Sequence, residues 1–337
     1  MAPRVDVNDL ALRIRSSERA ALARGITLLE STQPKDRAQA RQLLALLQAD
    51  TPTVSSRRIG ITGSPGAGKS TLIEAYGQLL LEEGKRVGVL AVDPSSNRTR
   101  GSILGDKTRM EVLSKHRGAF VRPSPAGTTL GGVARATRES ILLLEAAGFD
   151  TILVETVGVG QSEHAVRDLV DAMMLLVLPG SGDDLQGIKR GIVELADIIV
   201  IHKSDGDRKK LAAATARYYS QALHLQSGRT DGWTPTTIQA SSLEEGGLTG
   251  FGESLNNYFG TLENIGIQQL RRLQAIRYFS NAWRELASET LLQHETFHAL
   301  LARLENAIAS GTSTPERAQG ELIHFLSQRF SAPRLDV

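Results

Sequence analysis

The chain has 337 residues, 41% of them hydrophobic and 23% charged, with 39 basic and 37 acidic side chains and no cysteine. That balance leaves room for one large domain with appendages, and with no basic run beyond two or three residues it points to neither nucleic acid nor an anionic membrane. The missing cysteines exclude disulfides, Cys-ligated zinc and a thiol nucleophile, and the longest apolar run, Ala172 to Leu178, is far too short to span a bilayer.

Met1 to Leu10 carries Asp6 and Asp9 and lacks the apolar stretch of a secretion signal, so a cytoplasmic protein is expected. Residues 7–50 have a helical pattern. Leu10, Leu12 and Ile14 lead to a Ser16-Ser17 cap, a helix runs through Leu28 and Leu29, and Pro34 opens another that ends near Leu47. Thr, Pro and Ser dominate Ala49 to Ser56, which reads as a linker. The expected division is an N-terminal helical segment over 1–56, an α/β domain over 57–262, and a helical arm over 263–337.

The α/β domain opens on Arg58 to Thr62, a short buried strand, followed by Gly63-Ser64-Pro65-Gly66-Ala67-Gly68-Lys69-Ser70. This matches G-x-x-x-x-G-K-[ST] in full. Glycines let the backbone of Gly63, Gly66, Ala67 and Gly68 curl around phosphate oxygens, Lys69 reaches the β and γ phosphates, and the Ser70 hydroxyl suits Mg²⁺. A helix is expected from Ser70 to Glu83, with Leu72, Tyr76, Leu79 and Leu80 on one face and Gly84 as its stop. Thr71 sits in its first turn, where the N-terminal dipole favours anions. The chain is expected to bind a nucleoside triphosphate.

Further strands are expected at Arg86–Val92, Ala119–Arg122, Thr151–Glu155, Met173–Leu178, Ile198–His202 and Thr236–Ala240. Several are continuous apolar runs, as befits strands buried on both faces, so a doubly wound, mostly parallel α/β sheet is expected, with ligands at its carboxyl edge. After Asn264 the pattern is helical, with Thr314-Pro315-Glu316 a helix start.

Carboxylates fall at those strand ends. Asp93 closes the second strand and Glu155 the fourth, while Asp106 lies in a loop rich in Ser, Thr, Gly and Arg that can carry an acid to Mg²⁺ or to an attacking water. Glu155-Thr156-Val157-Gly158 has the form of a switch, with the Gly158 N–H able to sense the γ phosphate. His202-Lys203-Ser204-Asp205 resembles the N-K-x-D element of GTPases: Asp205 can accept from guanine N1–H and the exocyclic amine, and the Lys203 stem packs on the base. Ala240-Ser241-Ser242-Leu243 resembles the loop that offers a backbone N–H to guanine O6. A ring N–H of His202 either reaches guanine N7 or braces the phosphate loop as an asparagine would, and His202→Asn is expected to bind guanine nucleotide at least as well.

Taken with Gly63–Ser70, the strings Gly101-Ser102-Ile103-Leu104-Gly105-Asp106-Lys107-Thr108-Arg109-Met110, Glu155–Glu163 and Gly187-Ile188-Lys189 resemble the MeaB/ArgK/MMAA family of P-loop GTPases, of the SIMIBI class, over most of the chain. The resemblance implies a GTPase that protects or loads a cobalamin-dependent acyl-CoA mutase, usually methylmalonyl-CoA mutase, and that forms a homodimer through its C-terminal helices. By position, it places catalytic phosphate roles on Lys69, Asp93, Asp106 and Glu155, Mg²⁺ on Ser70, Asp93, Asp106 and Glu155, and the base on Lys203 and Asp205. The family's third switch matches Leu178 to Lys189. Arg100, His202 and Ser242 depart from the family's usual Gly, Asn and Ala. The competing readings are an ATP-dependent small-molecule kinase and a nickel metallochaperone of the same class.

Overall fold

A computed structural model describes residues 6–31, 33–49, 56–92, 110–122, 130–156, 162–181, 190–224 and 233–330. Among these residues seven strands appear: β1 (Arg57–Gly63), β2 (Val87–Val92), β3 (Ala119–Arg122), β4 (Thr151–Thr156), β5 (Ala172–Val177), β6 (Ile198–Ile201) and β7 (Thr236–Gln239). They form one sheet in the order β3-β2-β4-β1-β5-β6-β7, and each neighbouring pair is parallel. Each strand lies within a residue or two of its expected position.

The apolar runs are explained by what covers each face. In β4, Ile152 and Val154 join a core built with the N-terminal helices α1 (Val7–Arg15), α2 (Arg19–Glu30) and α3 (Pro34–Ala49). Leu153, between them, joins the opposite core with α4 (Lys69–Glu82). A third core, on the β5–β6 side, takes Leu175, Val177, Ile199 and Ile201. Alternate residues thus face different layers, and both layers are dry, so the period of two disappears from the sequence.

In chain order the remaining helices are α5 (Glu111–Lys115), α6 (Leu130–Ala146), α7 (Ser162–Arg167), α8 (Arg190–Leu195), α9 (Lys209–His224), α10 (Thr249–Ile265), α11 (Ile267–Gln293), α12 (Glu295–Ala309) and α13 (Pro315–Phe330). Two local details differ from expectation. Leu79 is 41% exposed, because the buried stripe of α4 runs through Leu72, Ile73, Tyr76, Gly77 and Leu80 instead. Ser17 does not cap α2; its φ is 64°, and its hydroxyl donates to the Ala147 carbonyl while accepting from Arg86.

The chain divides into two compact units at Gln274, inside α11. In the first, Arg271 and Gln274 of α11 reach the Asp171 carboxylate and the Val170 carbonyl. In the second, α12 and α13 pair, with Phe297 against Phe325 at 6.0 Å and Arg303 on Glu321 at 2.8 Å.

Candidate functional site

The strand order puts the chemistry on one edge. β1 is central and delivers the phosphate loop, β4 beside it carries Glu155 as its last residue but one, and β6 and β7 lead into the two loops expected to read a base. Parallel strands present all their carboxyl ends on the same side, which is why loops distant in sequence converge there.

The phosphate loop needs its glycines for two measurable reasons. Gly63 has φ 145° and a Cβ there would lie 2.4 Å from the Leu176 carbonyl oxygen, while Gly68 has φ 92° and its Cβ would meet the His202 ring at 2.6 Å. Neither position admits a side chain. Gly68 also starts α4 without any side-chain cap, so the first-turn N–H groups remain donors for an anion. Lys69 is buried, and its ammonium donates to the carbonyls of Gly63 at 2.7 Å and Ser64 at 3.2 Å.

Ser70 and Glu155, 85 positions apart, meet here: Ser70 Oγ donates to Glu155 Oε1 at 2.9 Å. The β1–β4 register sets Ile61 beside Glu155, which carries the buried carboxylate to the foot of α4. A hydroxyl and a carboxylate in contact, the hydroxyl on the residue next to the buried Lys69, are hard oxygen donors that fit a divalent cation such as Mg²⁺. Behind them, Thr156 Oγ1 donates to Thr62 Oγ1 at 2.9 Å and ties the same two strands.

A pocket of about 280 Å³ opens two strands away, lined by Thr71, His202, Lys203, Asp205, Arg208, Ser242 and Leu243. Lys203 has φ 59°, a left-handed conformation that a lysine adopts only when held there. Asp205 Oδ2 accepts from Ser241 Oγ at 2.9 Å, and Oδ1 accepts from the Arg208 guanidinium. Burial by itself would raise the Asp205 carboxyl, but Ser241 and Arg208 outweigh it and hold it below its ordinary value, so it stays ionised at neutral pH. Leu243 is exposed on the rim, and its N–H is turned inward onto Ser241 Oγ at 3.1 Å.

His202 is buried, and both ring nitrogens are engaged: Nδ1 lies 2.8 Å from the Ala67 carbonyl and Nε2 lies 2.8 Å from Ser242 Oγ. Of the two roles expected for it, bracing the phosphate loop is the one this geometry supports.

The structure therefore gathers Gly63, Gly66, Ala67, Gly68, Lys69, Ser70, Thr71, Glu155, His202, Lys203, Asp205, Ser241, Ser242 and Leu243 on one edge of the sheet. Asp93, Asp106 and Gly158 lie outside the described residues, as does most of the expected third switch, residues 182–189. Arg208 was missed by sequence reasoning; its signal was its place three residues after Asp205, one turn along the 3₁₀ segment Gly206–Arg208. Among the described residues, no helix is long and apolar enough to cross a membrane.

Residues 22–298 match the family model described as methylmalonyl-CoA mutase-associated GTPase MeaB. A probable GTPase of Mycobacterium tuberculosis is 48% identical over 94% of this chain and 94% of its own length. The mouse methylmalonic aciduria type A homolog, a mitochondrial protein by its name, is 42% identical over 96% of this chain and 80% of its own. A crystal structure described as an LAO/AO transport system kinase superposes with a TM-score of 0.77 at 34% identity, covering 97% of this chain and 99% of that one.

Proposed function

From the premise that this chain belongs to the MeaB family of P-loop GTPases, we propose that it is a guanine-nucleotide gate for a cobalamin-dependent acyl-CoA mutase of the methylmalonyl-CoA mutase type. The observation that supports the guanine part is the ionised Asp205 in its pocket, two strands from the phosphate loop. Its two oxygens accept guanine N1–H and the exocyclic amine, a donor pair that adenine lacks. Lys203 supports the base face, and the Ser242 N–H serves guanine O6.

Hydrolysis is water attack on the γ phosphate, with positioning and charge stabilisation supplying the catalysis. Lys69 trades a loop carbonyl for a phosphate oxygen. Ser70 and Glu155, with Asp93 and Asp106, would hold Mg²⁺, which would supply neutralisation of phosphate charge. Gly158 reads the γ phosphate, and residues 178–189 pass its presence to the mutase. Such a site is completed by a partner that orders its switches, so GTP turnover is expected to be slow alone and faster with the mutase. Steady-state phosphate release with and without saturating mutase tests this; equal rates for every candidate mutase would remove the gating role.

The same reading makes the protein a homodimer through its C-terminal helices. Ile276, Phe279, Trp283 and Leu286 recur along α11 at steps of three and four, and each is exposed by 49% or more. That is the stripe of a helix awaiting a partner helix. Sedimentation of the Phe279→Glu, Trp283→Glu double variant should show a monomer that still binds GTP, where the wild type is a dimer. A wild type that is monomeric at micromolar concentration would rule this out.

A further inference from the structure

His202 stands between the residues assigned to the base and those assigned to phosphate, and its environment determines its protonation. The Ala67 carbonyl can only accept, so the Nδ1 facing it at 2.8 Å carries the proton. Burial pushes the ring pKa below its ordinary value, against the smaller opposite pull of the Ala67 bond, and the ring is neutral. Nε2 is therefore a lone pair, and the Ser242 hydroxyl donates to it across 2.8 Å. Nothing on the ring is left for a base atom. The fit is also steric, since the ring lies where any Gly68 side chain would be.

The two loops it touches belong to β1 and β7, which are separated in the sheet by β5 and β6. No ladder pairs those strands, and the His202 side chain touches a loop from each. We infer that His202 is a positioning residue, a two-ended bracket that fastens the base loop at Ser242 to the phosphate loop at Ala67 and so couples the geometry of base binding to that of phosphate binding. The inference rests on the guanine-nucleotide reading above.

An asparagine δ nitrogen sits the same number of bonds from Cα as histidine Nδ1. Asparagine at this position can thus keep the Ala67 bond, but it has no atom in the place of Nε2. His202→Asn deletes the Ser242 end alone, and Ser242→Ala deletes that end from the other side. The expectation that Asn serves as well as His is thereby reversed for a chain that carries Ser242.

A double-mutant cycle tests it, by equilibrium titration of a fluorescent GDP analogue against wild type, His202→Asn, Ser242→Ala and the pair, with Ser242→Thr as the control that keeps the hydroxyl. Each single variant should bind about 3- to 10-fold more weakly, the range for one net hydrogen bond. The pair should be no weaker than either single, Ser242→Thr should restore binding, and the loss should fall on KM for GTP more than on kcat. Additive losses, singles that match wild type, or a threonine variant as weak as the alanine one would overturn the bracket. Titration of ATP against the wild type separates the two readings: ATP bound as tightly as GDP would sink the guanine assignment, and a non-additive cycle would still establish the bracket.

Discussion

The two edges of the sheet are both polar, for opposite reasons. At the amino edge, Asp150, Asp171 and Asp197 each precede a strand, and each takes an N–H at the start of the neighbouring one: Arg86 at 2.7 Å, Arg58 at 2.8 Å and Met173 at 2.7 Å. Asp171 and Asp197 are also met by cations. Arg271 grips both oxygens of Asp171 at 2.9 and 2.7 Å, Arg167 reaches Asp197, and Arg58 grips Glu145 at 2.7 Å through two nitrogens. These pairs are closed circuits of ion on ion. At the carboxyl edge, Lys69 leans on carbonyls, Glu155 on a hydroxyl, and Asp205 on a hydroxyl and a half-exposed arginine. Such partners are ones that a phosphate, a cation or a purine can displace. The amino-edge contacts tie strand starts to one another and to neighbouring helices, whereas the carboxyl-edge contacts join the loops proposed to hold the nucleotide.

The comparison is tested most severely by breaking a closed pair. Arg58→Ala leaves Glu145 buried with only the Ser56 hydroxyl and Arg271, 3.7 Å away, beside it, and should cost about 3–5 kcal/mol of folding stability. Denaturant unfolding should show that loss while GTP affinity of the folded protein is unchanged; a variant that lost affinity without stability would erase the distinction between the edges.

A smaller effect is expected at the other edge. Asp205→Asn removes a charge and turns one acceptor into a donor that guanine cannot match, costing on the order of 1–3 kcal/mol, or tens-fold in affinity. Xanthine carries a carbonyl where guanine carries its amine, so the variant should lose GTP and gain xanthosine triphosphate with its melting temperature nearly unmoved. Unaltered affinities for GTP, ATP and xanthosine triphosphate would instead favour an ATP-dependent kinase.

The mildest test is pH. Burial would raise Glu145, but Arg58, Ser56 and Arg271 together hold it below its ordinary value of 4.5. A carboxyl depressed in the folded state contributes stability that is fully present above its unfolded pKa and is lost as pH falls through the folded one. Stability should therefore be level through neutral pH and fall in acid below about 4.5, and Glu145→Gln should remove part of that acid slope. An unchanged slope in the variant would show that other carboxylates carry the acid sensitivity.

Much of this was legible in the amino-acid order because it is local. Short strand patterns, several of them continuous apolar runs, mark the strands of the sheet, and an eight-residue loop carries its own reasons for Gly63 and Gly68. The meaning of strand-end acids was legible only in part. Glu155 and Asp197 both adjoin strands, yet one faces Ser70 and the other is locked to Arg167, and the edge on which each acid falls decides between the two.

What the sequence determined by itself is thus the set of elements, the phosphate loop and the type of chemistry, all encoded within windows short enough for periodicity and backbone sterics to act. What the tertiary structure decided is which distant side chains meet: Ser70 with Glu155, Arg271 with Asp171, His202 with Ala67 on one side and Ser242 on the other. Those contacts follow from the order β3-β2-β4-β1-β5-β6-β7, and strand order is settled by how helices of both layers bury their apolar faces at once, a condition on the whole chain that no short window contains.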